Sequence, residues 1–312
     1  MQALSIAFDA IVPLFLIIGL GYAVKRLGWI GAAEVKRFNK VTFYTFMPIM
    51  LFYNIYTSDF SQPVRLSYVL LTVGMALAMV AVSFVVVLCT EKMPQRRGVM
   101  IQAAFRSNFV LLGLPIAMEL LPEGNFGVTA LMVAVVVPLF NVFSVIVLEY
   151  FRGGRPQVGE VLLAVVKNPL IIGSLLGLLA VATGFTLPEV LASFAGKMCT
   201  AATPVILLLL GASFETRQLA VYKKELAICV GLRLVIFPGL LLTLAAVLGI
   251  RDIEFVTLLA MCAAPTAVNS FNMAQQLGGD SQLAGSAVVV STTLSFVTLF
   301  VWITLFKQLG MF

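Results

Sequence analysis

The 312-residue chain is 61% hydrophobic and only 11% charged, against roughly 25% charged residues in an ordinary soluble domain, which excludes a water-soluble fold. It contains no histidine, so imidazole acid–base chemistry and His-ligated metals are excluded. Its net charge of +6 reads first as membrane topology and not as affinity for nucleic acid.

A helix needs about 20 apolar residues to cross the hydrocarbon, and charge clusters divide the chain into ten such stretches. They lie near 9–25, 38–57, 66–89, 98–120, 126–149, 160–183, 190–213, 222–248, 253–276 and 283–306. Span 1 follows no basic leader and no small-residue cleavage site, so it is read as a retained helix. Span 2 carries Pro48 and Asn54. Span 4 contains FRSNFVLLGLPIA, with Arg106, Asn108, Gly113 and Pro115, and span 5 contains Asn141. Span 6 begins at Asn168, and span 8 holds Arg233. Span 9 contains APTAVNSFNMAQQ, with Pro265, Ala267, Val268, Asn269 and Asn272. Cys89, Cys199, Cys229 and Cys262 are far apart in apolar runs, which fits small buried residues better than disulfides or a CxxC site.

Basic residues accumulate in alternate connections: Lys25, Arg26, Lys36, Arg37 and Lys40; Lys92, Arg96 and Arg97; Arg152, Arg155 and Lys167; Arg217, Lys223 and Lys224. The other connections hold only Arg65, Lys197, Arg251 and Lys307. Lys and Arg mark cytoplasmic loops, so both termini are expected outside the cytoplasm. Pro13-Leu14 recurs as Pro169-Leu170, Pro48 recurs as Pro204, and AVVV at 134–137 recurs at 287–290, at offsets of about 153–156 residues. These matches predict two five-span halves, 1–155 and 156–312. Because five is odd, the halves are inverted, which is a transporter architecture.

Broken helices at matching positions of two repeats point to a transport site. Gly113 and Pro115 are expected to break span 4, and Pro265, Ala267 and Val268 to break span 9, the offset carrying Pro115 to Val268. Unwound backbone at membrane depth must face protein or a water-filled cavity, and free N–H groups at half-helix N-termini suit a carboxylate. Asn108, Asn269, Asn272, Asn54, Asn141 and Asn168 are candidate substrate ligands, since an amide donates and accepts without carrying charge, and Arg106 is a further candidate that would draw in an anion. Arg106 and Arg233 fall inside spans, each either facing a cavity or snorkelling to the interface. Acids such as Asp9, Asp59, Glu119, Glu149, Glu215 and Glu254 sit near span ends, which favours an anionic substrate over cation exchange on buried aspartates.

The segments GYAVKRLGW, MPIMLFYNIYTSDF, RSNFVLLGLPIA, KNPLIIGSLLGLL and APTAVNSFNMAQQLGGDSQLAGSAVVVSTTLSF, in this order and spacing, resemble the auxin efflux carrier family. That family includes bacterial members described as malonate transporters and the plant PIN-formed carriers. The resemblance covers all ten spans. It implies an all-α membrane fold like that of the bile-acid symporters, with a scaffold domain from spans 1, 2, 6 and 7. Spans 3–5 and 8–10 would form a transport domain with crossovers in spans 4 and 9. It also implies a substrate carboxylate near Asn108 and a crossover proline at Pro115. The plant-like second crossover proline falls near Asn269, where this chain departs from the pattern, and the long plant loop shrinks here to about EYFRGGRPQVGE.

The expectation is a secondary active or facilitative carrier of small organic anions in the bacterial inner membrane. The cargo would be a dicarboxylate such as malonate or an auxin-like monocarboxylate, moved by elevator-type alternating access. The scaffold could pair two copies, and neither a cofactor nor nucleic acid is expected. The alternative within transport is a sodium-coupled symporter of the bile-acid type. An intramembrane enzyme would need an activated nucleophile or paired carboxylates in a cavity, and a receptor would not need inverted halves. No GxxxxGKS-like stretch supports ATP hydrolysis.

Overall fold

A computed structural model describes residues 2–58, 64–121, 127–153 and 158–312, with side chains from residue 12 onward except that of residue 158. The side chain of Asp9, the whole of Asp59 and the expected boundary between halves at 155/156 lie outside the described residues.

The described residues are helical, apart from connections and one isolated bridge. In chain order the helices are α1 Gln2–Arg26, α2 Ala32–Tyr44, α3 Phe46–Tyr56, α4 Leu66–Thr90, α5 Pro94–Phe105, a π-turn Phe109–Gly113 running into α6 Leu114–Leu120, and α7 Gly127–Tyr150. Then come α8 Val158–Lys167, α9 Pro169–Thr183, α10 Glu189–Ser213, α11 Thr216–Val221 and α12 Lys223–Gly231. A second π-turn, Leu232–Ile236, leads into α13 Phe237–Val247, followed by α14 Asp252–Ala263, α15 Asn269–Gln276 and α16 Ser281–Gln308. Five helical runs are long and apolar enough to cross a membrane unbroken, and α8 with α9, bent by 59°, makes a sixth if taken as one span.

Proline explains most of the interruptions. Pro48 has no N–H for the Tyr44 carbonyl, and the helix breaks at Thr45 between α2 and α3. Asn168 precedes Pro169 and caps α9, its Oδ1 accepting the Leu170 N–H at 2.9 Å, so α8 and α9 meet at an angle. Each π-turn ends two residues before a proline, Pro115 and Pro238. A proline leaves the carbonyl four residues back without its donor; for Pro238 this is Leu234, which instead accepts from Trp302 Nε1 at 2.9 Å.

Lipid tails are as apolar as leucine, so helices in a membrane associate through close packing more than through hydrophobic burial. α1 and α10 show the closest approach. A Cβ on Gly21 would lie 2.0 Å from the Leu208 carbonyl oxygen, and one on Gly211 would lie 1.9 Å from that of Ile18. α1, α2 and α3 pack on α10, and α3 also packs on α9. The remaining long helices pack mainly on one another: α5 against α4, α7, α12 and α16, and α14 against α7 and α13. The two groups meet where α1 touches α16 and α6, where α2 and α10 touch α15, and where α7 touches α8 and α9.

Candidate functional site

The backbone leaves helix twice in the middle of the second group. α5 stops at Phe105, and Arg106, Ser107 and Asn108 are not helical before the π-turn begins. α14 stops at Ala263, and the chain stays irregular from Ala264 through Val268. The two interruptions lie side by side. Ser107 and Thr266 form an antiparallel bridge; the Asn108 N–H donates to the Pro265 carbonyl at 2.8 Å, and the Ala267 N–H donates to that of Arg106 at 3.1 Å. The Thr266 hydroxyl donates to the Ala103 carbonyl at 2.8 Å. Pro265 has no N–H and serves here only as an acceptor, so its ring loses nothing.

The first break is thus five to nine residues upstream of its expected place. Gly113 and Pro115 lie in continuous helical geometry: Pro115 sits in the first turn of α6, where its missing N–H is tolerated, and the π-turn absorbs the misfit. Gly113 has a packing role, since a Cβ there would lie 2.7 Å from the Ala260 carbonyl oxygen of α14. At the second break, Pro265 and Ala267 are in the irregular segment and Val268 is its last residue.

Two interrupted helices create four ends, and the sequence treats them in opposite ways. At the two C-terminal ends, orphan carbonyls carry the negative end of each dipole. Arg233 serves both: Nη1 donates to the Phe105 carbonyl (3.0 Å), Nε to Ala264 (2.7 Å), and Nη2 to Met261 (2.6 Å) and Cys262 (2.9 Å). Its side chain is fully buried, so it does not snorkel to an interface. This function was not legible beforehand; the only signal was a base placed inside a span.

The N-terminal ends point the other way. The first amides of the run beginning at Phe109, and of α15, have no helical carbonyl behind them. Both ends contribute to a cavity of about 40 Å³ lined by Asn54, Arg106, Asn108, Asn269, the Phe109–Leu111 turn, and the apolar Met50, Val137 and Phe140. At roughly 10–15 Å³ per water, that is room for about three waters. Asn108 is 4% exposed, and its Nδ2, like the Ser107 hydroxyl beside it, is buried without a protein partner. Arg106 is also buried, ruling out snorkelling for it too; one guanidinium nitrogen donates to Asn141 Oδ1 at 2.5 Å and another faces the Met273 sulfur. Neither Asp nor Glu occurs among the described lining residues, and no cluster of metal-binding side chains occurs among the described residues.

The cavity therefore gathers Asn54, Arg106, Asn108 and Asn269, with Asn141 one step behind as the partner that orients Arg106. Asn54 also accepts the Cys199 S–H at 3.3 Å. Asn168 and Asn272 lie elsewhere. Asn168 is occupied as the cap of α9, a role its position before a proline and an apolar run would have indicated. Asn272 donates to Asn39 Oδ1 at 3.1 Å, and Asn39 in turn donates to Gln275 Oε1 at 2.5 Å, forming a polar contact between α15 and α2.

A family model described as "Membrane transport protein" matches residues 6–160 and 155–303. The chain belongs to this family, that of the auxin efflux carriers. Among its relatives, an "Uncharacterized transporter" of Methanothermobacter thermautotrophicus is 25% identical, the match covering 94% of this chain and 96% of that protein. A "Putative malonate transporter" of Rhizobium meliloti is 24% identical, covering 92% of each. The family is one of membrane transport proteins and both relatives are described as transporters, which supports an integral membrane protein and points to a role other than that of an enzyme.

Proposed function

We propose that this auxin efflux carrier family member carries small organic anions across the membrane by alternating access at the cavity beside the two helix breaks. The observation that carries the reading is the lining. Two helix N-terminal ends, the Asn108 amide and the Arg106 guanidinium converge on one buried space with no acid among its described residues. Such donors stabilise a carboxylate through charge-assisted hydrogen bonds, while Met50, Val137 and Phe140 suit the carbon skeleton. The malonate relative favours a short dicarboxylate; an auxin-like monocarboxylate fits the same chemistry.

The architecture we assign is ten spans in two inverted halves, with both termini outside the cytoplasm of a bacterial inner membrane. α1–α3 with α8–α10 form the scaffold, and α4–α7 with α11–α16 form the moving body. Support comes from the packing of α1–α3 on α10 and of α3 on α9, and from the bonding of both breaks within the other group. Loading requires the cavity to widen, since about 40 Å³ is smaller than a dicarboxylate. An elevator-type displacement along α3 and α10 does this without disturbing the bonded breaks.

The test is counterflow in proteoliposomes against a panel of mono- and dicarboxylates, with and without sodium or proton gradients. Exchange of at least one carboxylate class is expected. Cation exchange with no carboxylate movement would overturn the reading, and strict sodium dependence would move it to the bile-acid symporter type.

A further inference from the structure

Away from the breaks, two adjoining cavities lie where α1 ends. The first, about 450 Å³, is lined by Tyr22, Lys25 and Arg26 of α1 and by Phe214, Glu215 and Arg217 around the end of α10. Three bases against one acid leave this basin net positive. Arg26 is held in place, with Nε and Nη2 3.0 and 2.8 Å from the Tyr22 hydroxyl and the guanidinium 5.2 Å from the ring centre. The second cavity, about 280 Å³, shares Tyr22, Phe214 and Thr216 with the first. It continues along α1 past Gly19 and Ile18 to Phe15, with Val289 of α16 on its other wall. Apart from the shared Tyr22 and Thr216 its lining is apolar, and Phe15 to Tyr22 spans about 10 Å at helical rise.

We propose that basin and groove together form a binding site for one anionic phospholipid, with the headgroup phosphate among Lys25, Arg26 and Arg217 and an acyl chain along Gly19, Ile18 and Phe15. Charge complementarity selects the headgroup: basic pockets between membrane helices bind acidic lipids. The groove selects the tail, since a soluble phosphate would leave it empty and a neutral lipid would leave the bases unmatched. The position fits as well, because the basin lies at the basic end of α1, formed by Lys25 and Arg26, and the groove runs back along the apolar part of the same helix. The groove is walled by α1 on one side and α16 on the other, so the lipid touches both packing groups at their shared boundary. The inference is independent of which substrate the protein carries.

The test is binding to the delipidated, detergent-purified full chain, read by native mass spectrometry and by the thermal unfolding midpoint. Phosphatidylglycerol should be retained and raise the midpoint; phosphatidylcholine with the same chains and glycerol phosphate should do neither. Lys25→Gln with Arg26→Gln and Arg217→Gln should weaken phosphatidylglycerol about a hundredfold, from a factor of about five per base. Gly19→Leu tests the groove separately. A Cβ at Gly19 meets nothing within 4 Å, so the variant should fold as the parent does yet bind phosphatidylglycerol at least tenfold more weakly with every base intact. Equal retention of phosphatidylcholine, glycerol phosphate binding as tightly as the lipid, or parental affinity in Gly19→Leu would each overturn the proposal.

Discussion

Arg233→Met removes the one side chain that serves the C-terminal ends of both broken helices. Methionine keeps the stem's apolar volume but no donor, leaving the carbonyls of Phe105, Met261, Cys262 and Ala264 without the bonds seen at 2.6–3.0 Å. A buried acceptor left unpaired costs about 1–3 kcal/mol. Part of the sum over four is offset because the buried cation's own desolvation penalty disappears. A net loss of about 3–5 kcal/mol follows, on the scale of breaking a buried ion pair. At roughly 2–4 °C per kcal/mol for chains of this size, the unfolding midpoint in detergent should fall by about 10 °C. Arg233→Lys, which keeps the charge and reaches fewer acceptors, should lose about half as much. The assay is a thermal ramp read by fluorescence-detected size exclusion, alongside initial transport rates at a temperature where both variants remain folded. A methionine variant with a midpoint within about 2 °C of the parent would refute the capping role.

Asn108→Ala should abolish anion counterflow while the midpoint moves by less than about 2 °C, because the amide nitrogen it deletes has no protein partner to lose; unchanged transport kinetics would remove Asn108 from the site. Gly211→Ala places a methyl 1.9 Å from the Ile18 carbonyl oxygen and should force α1 from α10. The expected result is aggregation or loss of monodisperse protein, and normal yield with a parental midpoint would contradict the packing described. Asn168→Ala should cost about 1 kcal/mol, as for other N-caps, with substrate affinity unchanged; a selective rise in KM would return Asn168 to the substrate path.

The helical character of the chain was legible because composition and charge clusters decide where helix can lie in a membrane, although only five runs, or six with the bent pair, are long and apolar enough to cross unbroken among the described residues. Each apolar stretch marked off by charge contains helix. Less legible was what a proline does inside one. Pro115 reads as a break when seen alone, but a helix can shift its hydrogen bonds into a π-turn before a proline, and unwinding then falls where another chain segment offers partners. Those partners are Pro265 and Thr266, distant in sequence and invisible to local propensity. The asparagines divide by how far their partners lie: the Asn168 cap is a local bond to the Leu170 N–H, readable from the following proline and apolar run, whereas the unpartnered state of the Asn108 amide is set by the tertiary surroundings. Arg106 and Arg233 were recognisable as unusual, but whether a buried guanidinium faces a cavity or carbonyls depends on contacts across the fold.

The bonding of the two breaks also bears on the order in which the protein can be completed. The polar groups at residues 103, 105, 106 and 108 find their partners at Thr266, Arg233, Ala267 and Pro265, all far downstream in the chain. Until those are made the segment from Phe105 to Asn108 holds open backbone, and in a membrane each unsatisfied group costs several kcal/mol. Water or the insertion machinery must shelter those groups during synthesis. A chain stopped near residue 155 therefore lacks these partners for its own helix break, and that break closes only once Arg233 and the segment from Pro265 to Ala267 have been made.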